Sequence, residues 1–143
     1  MRKARSFLCL FNEVKLMFPQ LCALFVAGGL GALSRFGLST FFSGVFGKGA
    51  PWGTAIINVV GCFCFGLIAS LFASRSHWDA ETKTIILTGF FGAFTTFSTY
   101  MFEIHALVKE GAFGRAFGDF LLQNALGFGA VALGISLARH FFA

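Results

Sequence analysis

The chain has 143 residues, a formal net charge of +5 and a mean hydropathy of +0.80; 57% of its residues are hydrophobic and only 12% are charged. An ordinary soluble domain is about a quarter charged, so too few polar side chains are present to cover a water-facing surface, and the length suits one domain. The positive charge reads as loop charge and contact with anionic lipid, not as a nucleic-acid footprint, since no RNA- or DNA-binding module is visible.

Four stretches contain no Asp, Glu, Lys or Arg: residues 16–34, 49–74, 84–102 and 120–138. Each is close to or above the length of about 20 apolar residues that spans a hydrocarbon core. None alternates as a barrel strand would. Helices satisfy every backbone N–H and C=O internally, as lipid requires. The expected fold is therefore all-α, with four transmembrane helices in a multi-pass protein of the cell membrane.

Residues 1–20 open with Arg2, Lys3 and Arg5 and a short apolar run that ends at Asn12-Glu13. This resembles a signal peptide in outline but lacks a convincing cleavage site. It reads as a basic, partly amphipathic extension at the cytoplasmic interface, with residues 21–143 forming the membrane domain. Pro19 suits the first turn of helix one, which spans residues 21–42. A Gly- and Pro-containing turn leads to helix two, residues 53–73. A polar loop then precedes helix three, residues 84–108, and residues 109–115 lead to helix four, residues 116–138. Cys9, Cys22, Cys62 and Cys64 form no C-x-x-C pair and have no His cluster nearby, so they read as small apolar packing groups.

Polar groups at membrane depth are costly and are candidate functional residues. Arg35, two-thirds along helix one, is either a snorkelling cation or a cation at the mouth of an anion path. Asn58 in helix two has interhelical hydrogen bonding as its plain alternative. Glu103 is a vestibule carboxylate or a helix-end residue. Gln123 and Asn124 in helix four carry no assigned role.

Helix three is different. Gly89-Phe90-Phe91-Gly92-Ala93-Phe94-Thr95-Thr96-Phe97-Ser98-Thr99-Tyr100 concentrates glycine, hydroxyls and aromatics. Gly92 and the two threonines are poor helix formers, so a break between Gly92 and Thr96 is expected. Broken helices occur in membranes where they line cavities or bind ions. Freed carbonyls can hold a cation, while a new helix N-terminus and hydroxyl donors favour an anion. Phe97 and Tyr100, three apart, share a face, and ring edges carry the positive end of the aromatic quadrupole. A Gly/Thr-rich packing helix without function is the alternative.

This segment, together with Gly28-Gly29-Leu30-Gly31-Ala32-Leu33-Ser34-Arg35-Phe36 and Gly53-Thr54-Ala55-Ile56-Ile57-Asn58-Val59-Val60-Gly61, resembles the three signature segments of the Fluc/CrcB fluoride channel family. The resemblance runs from Gly28 to Glu103. It implies a passive fluoride channel, not an enzyme, that exports cytoplasmic fluoride and relieves its toxicity. It also implies an antiparallel, dual-topology homodimer with its third helices broken at mid-membrane, enclosing one structural, non-transported sodium ion (Na+). By motif position the sodium falls to the backbone carbonyls of Gly92 and Thr95. The fluoride pathway falls to Phe97, Tyr100, Asn58, Ser98, Thr99, Arg35 and Glu103. Tyr100 stands where the family has a second Phe. The alternative is a small dual-topology multidrug or cation exporter, which needs a carboxylate deep in helix one; none is present there. A non-conducting membrane subunit is a third class, and packing alone does not require the hydroxyl cluster.

The basic residues also bear on orientation. With the N-terminus inside, Arg2, Lys3, Arg5, Lys15, Arg75, Lys83 and Arg139 face the cytoplasm, and Arg35, Lys48, Lys109 and Arg115 face away. That is seven against four, and four against four once Arg2, Lys3 and Arg5 are set aside, the balance that dual insertion needs.

Overall fold

The computed structural model describes residues 2–47, 52–75 and 78–142, with side chains from residue 17 onward. Among them there is no strand. The helices are α1 (Arg2–Phe46), α2 (Trp52–Ser74), α3 (Ala80–Thr84), α4 (Gly92–Phe94), α5 (Phe97–Lys109) and α6 (Phe113–Phe142), with a π-helical segment, Ile85–Phe91, joining α3 to α4. Four helical stretches are long and apolar enough to cross a membrane: Met17–Phe46, Trp52–Ser74, Ala80–Lys109 and Phe113–Phe142.

Helix one ends later than expected, at Phe46, and helix four is longer at both ends, Phe113–Phe142; two helix starts differ as well. Helix one continues through Pro19 to Arg2, so Pro19 stands inside α1 and not in its first turn. A proline there removes one hydrogen bond, a loss that a 45-residue helix sustains. Side chains before Met17, and with them the interfacial position expected for residues 1–20, lie outside the described residues. The helix-three segment begins earlier than expected, at Ala80. Asp79 caps it by accepting from the Thr82 N–H at 2.6 Å. That bond holds the Asp79 carboxyl below its usual range. The cap is therefore at full strength above the ordinary carboxylate pKa and is lost as pH falls through the lowered value.

The exterior is apolar. Phe25 and Phe128 are each at least 80% exposed, as lipid-facing side chains are. The buried cluster is small and consists of Ile57, Phe91 and Phe94. Close backbone approach does much of the packing. A Cβ at Gly66 would collide with the Val131 carbonyl of α6, and one at Gly134 with the Phe63 carbonyl of α2. These two glycines let α2 and α6 meet at backbone distance, the small-residue packing of membrane helices. In the same way Gly31 of α1 lies on the Phe90 carbonyl of the π-helical segment, which sets the first span against the third just before the third leaves its helix.

Candidate ion pathway

The Ala80–Lys109 span is interrupted near its middle. Gly92 is helical (φ −63°, ψ −33°), whereas Thr95 (φ −83°, ψ 157°) and Thr96 (φ −146°, ψ 109°) are extended. The two β-branched residues, more than Gly92, therefore carry the interruption, in keeping with their strand preference. Thr95 leaves the helix with its N–H and Oγ1 both bonded to the Phe91 carbonyl, at 3.1 and 3.0 Å. Thr96 then caps α5, its Oγ1 accepting from the Thr99 N–H at 3.4 Å and donating to Thr99 Oγ1 at 3.0 Å. Ser98 Oγ lies 3.5 Å from the same Thr96 oxygen. The Thr/Ser concentration is thus a helix cap, and it gathers hydroxyls at a helix N-terminus.

The extended pair needs partners for its backbone, and two spans supply them. Asn58 of α2 forms a two-point clasp: its Oδ1 accepts from the Thr96 N–H at 2.9 Å and its Nδ2 donates to the Thr96 carbonyl at 3.2 Å. The side-chain amide acts as a neighbouring strand would. Arg35 of α1 reaches in from the other side, its Nε donating to the Ala93 carbonyl at 3.1 Å. A cation at the C-terminal end of a helical piece is favoured. So Arg35 is tied to the interruption and is not a snorkelling side chain.

This clasping leaves particular carbonyls without their helical donors. In a continuous helix the Thr96 N–H would serve the Gly92 carbonyl and the Thr99 N–H that of Thr95. The first is given to Asn58 and the second to the Thr96 hydroxyl. The Gly92 and Thr95 carbonyls, the pair named from the sequence as cation ligands, are thus among the backbone oxygens that the interruption leaves without helical donors.

Beside the interruption lies a groove of about 190 Å³. Asn58 and Cys62 of α2, Thr95, Thr96, Phe97 and Tyr100 of the third span, and Gln123 and Asn124 of α6 line it. Phe97 and Tyr100 do share a face, with ring centroids 6.0 Å apart and planes at 66°, but their surroundings differ. Phe97 is 70% exposed and Tyr100 only 4%. The Tyr100 ring stacks on Phe120 of α6 at 6.5 Å, and its hydroxyl donates to the Phe120 carbonyl at 3.0 Å. Glu103, one turn further along α5, accepts from Thr54 Oγ1 of α2 at 2.6 Å, and its Oε2 is buried without a partner. Glu103 is therefore part of a polar seam between α2 and α5, not merely a helix-end residue.

Three residues were missed by the sequence reading. Thr54, buried at 6% exposure, lies four residues before Asn58 on the same face of α2, a spacing that could have flagged it. Asp119 holds Gln123, whose Nε2 donates to Oδ1 and Oδ2 at 3.0 and 3.1 Å. Asn124, left without a role, donates from Nδ2 to the Tyr100 hydroxyl at 2.8 Å and to the Phe120 carbonyl at 2.7 Å.

Four apolar spans, the third interrupted beside a groove lined by aromatic, amide and hydroxyl side chains, define a small multi-pass helical membrane protein. The family model for CrcB-like proteins (camphor resistance, CrcB) matches residues 22–135. The chain is 40% identical over 123 residues to a fluoride-specific ion channel FluC of Solidesulfovibrio magneticus, covering 86% of this chain and 98% of the relative. It is 42% identical over 114 residues to a protein of the same name from Desulforapulum autotrophicum, covering 80% and 91%. With one from Nitrosococcus oceani it shares 39% over 123 residues, covering 86% and 98%. The chain belongs to the CrcB-like family.

Proposed function

We propose that this protein is a fluoride channel that lets fluoride leave the cytoplasm passively, down its gradient. The observation that carries the reading is the groove beside the interrupted span: Phe97 and Tyr100 line it next to the hydroxyl-capped N-terminus of α5, with no Lys or Arg among its lining residues. A small anion is attracted there by ring edges and a helix N-terminus without a fixed positive charge to hold it. Most polar hydrogens nearby are spent on protein acceptors. Asn58 keeps one amide hydrogen beyond its bond to Thr96, enough to greet an anion but not to cage it. The relatives named fluoride-specific channels point the same way.

Such a groove needs a second wall, because Phe97 is largely exposed in one protomer. An antiparallel homodimer supplies it, crosses two interruptions near mid-membrane, and brings the Gly92 and Thr95 carbonyls of both copies together. A sodium ion held there is structural: it replaces the diverted N–H donors and offsets the repulsion between passing anions. Ser98, Thr99, Arg35 and Glu103 extend the pathway to either side of the aromatic pair.

The experiment is passive efflux from fluoride-loaded liposomes holding only this protein. Fluoride should leave without ATP or a proton gradient, and chloride should be retained. Equal chloride flux, or strict dependence on an imposed proton gradient, is the result expected of an exporter and would overturn the channel reading. The Met17–Phe46 span carries no Asp or Glu on which such an exporter could rely.

Orientation gives a second expectation. Arg35 is bonded to the Ala93 carbonyl within the bundle, so it drops out of the loop count. Apart from Arg2, Lys3 and Arg5, the balance is then Lys15, Arg75, Lys83 and Arg139 against Lys48, Lys109 and Arg115, or four against three. That is close enough for insertion both ways. A compartment-sensitive reporter on the C-terminus should read on both sides of the membrane. A signal on one side only, persisting when residues 2 to 5 are deleted, would contradict antiparallel assembly.

A further inference from the structure

Tyr100 places a phenolic hydroxyl in the wall of a groove that, on the reading above, carries fluoride. Fluoride is a strong hydrogen-bond acceptor, and a free O–H there would bind it tightly. A tightly held anion does not move on, because conduction requires sites weak enough to leave. The hydroxyl is not free, however. Tyr100 Oη, Asn124 Nδ2 and the Phe120 carbonyl close a triangle with sides of 3.0, 2.8 and 2.7 Å. The single hydroxyl proton goes to the Phe120 carbonyl. The two amide hydrogens of Asn124 go to the hydroxyl oxygen and to that same carbonyl. Every donor in the triangle is used, and the ring is further held by stacking on Phe120.

We infer that Asn124 is a positioning residue that locks the Tyr100 hydroxyl onto α6, so that the ring offers the groove its edge and no hydroxyl donor. The inference rests on the fluoride reading. It explains how tyrosine is tolerated where the resemblance calls for phenylalanine: the hydroxyl is answered by an amide four residues beyond the carbonyl that takes its proton. With Asn124 gone, the hydroxyl is held by its bond to the Phe120 carbonyl alone, and its proton can exchange that neutral acceptor for a passing anion.

The test measures fluoride efflux from liposomes for Asn124→Leu in two backgrounds, native and Tyr100→Phe, each compared with its own parent. Leucine keeps the branch at Cγ and is apolar, so a lipid-embedded helix accepts it at this exposed position. In the native background efflux should fall by about tenfold or more, on the scale of one lost hydrogen bond. In the Tyr100→Phe background no hydroxyl remains to be held, and the substitution removes only the amide hydrogen that the lost hydroxyl leaves unused, so efflux should stay level or rise and should not fall. Size-exclusion chromatography accompanies each variant. Equal loss in both backgrounds, or misfolding in both, would overturn the inference by showing that Asn124 serves α6 packing. No loss in either would overturn it as well. Failure of the fluoride reading is distinct: the native protein itself would then pass no fluoride.

Discussion

Phe97→Ile is expected to lower fluoride efflux by about a hundredfold or more, equivalent to about 2.7 kcal/mol at the conduction barrier, while the protein still folds and dimerises. The side chain is 70% exposed in the protomer, so little of the protomer's packing depends on it. Isoleucine remains apolar but has no ring, and therefore no positively polarised edge. It also loses the edge contact with Tyr100. Tyr100→Phe is the informative partner: it keeps the ring and its stacking on Phe120, leaves Asn124 bonded to the Phe120 carbonyl, and should still conduct. Efflux and size-exclusion chromatography on the same preparations make the comparison. Native efflux from Phe97→Ile would rule out the aromatic edge as the feature that passes the anion.

Prolonged exchange of sodium for a bulky organic cation is expected to abolish efflux, slowly, as an enclosed ion escapes. The Gly92 and Thr95 carbonyls have had their helical donors taken by Asn58 and by the Thr96 hydroxyl. Carbonyls without partners in a bilayer cost several kcal/mol, and a monovalent cation is the simplest remedy. Two substitutions separate backbone from side chain. Thr95→Ser keeps the hydroxyl that bonds the Phe91 carbonyl and loses only the methyl that packs on Gly61, so it should retain activity. A Cβ at Gly92 meets nothing closer than the Leu87 carbonyl at 4.0 Å, so Gly92→Val should fold as a protomer. It should lose dimerisation, because in the proposed dimer the added methyls would enter the space where a second copy brings its carbonyls. Full efflux after exhaustive exchange, with no ordered ion at the interruption, would refute the sodium assignment.

The four spans were legible because absence of charge over a membrane's thickness is a length signal that needs no tertiary knowledge. The interruption was legible to within a few residues, since glycine and β-branched threonine weaken a helix wherever it packs. That it falls at Thr95 and Thr96, with Gly92 still helical, follows from Asn58 offering the Thr96 backbone a strand-like partner, a contact between spans that local propensity does not encode. The same limit hid the role of Asn124. Its bond to Tyr100 depends on the register of α6 against α5, and one sequence gives no register for helices joined by a turn at Gly111. Arg35 was flagged by its cost at membrane depth, but its acceptor, the Ala93 carbonyl, is exposed only by the interruption itself. Pro19 misled because proline is favoured at a helix start, yet a helix already satisfied on both sides continues through it.

The most direct measurement of the central claim is the reversal potential of a planar bilayer containing only this protein, with fluoride unequal and chloride and pH equal across the membrane. A passive fluoride channel places it at the fluoride equilibrium potential, about 59 mV per tenfold gradient. A reversal potential near zero under that gradient, or one that moves with an imposed chloride or proton gradient instead, would contradict it.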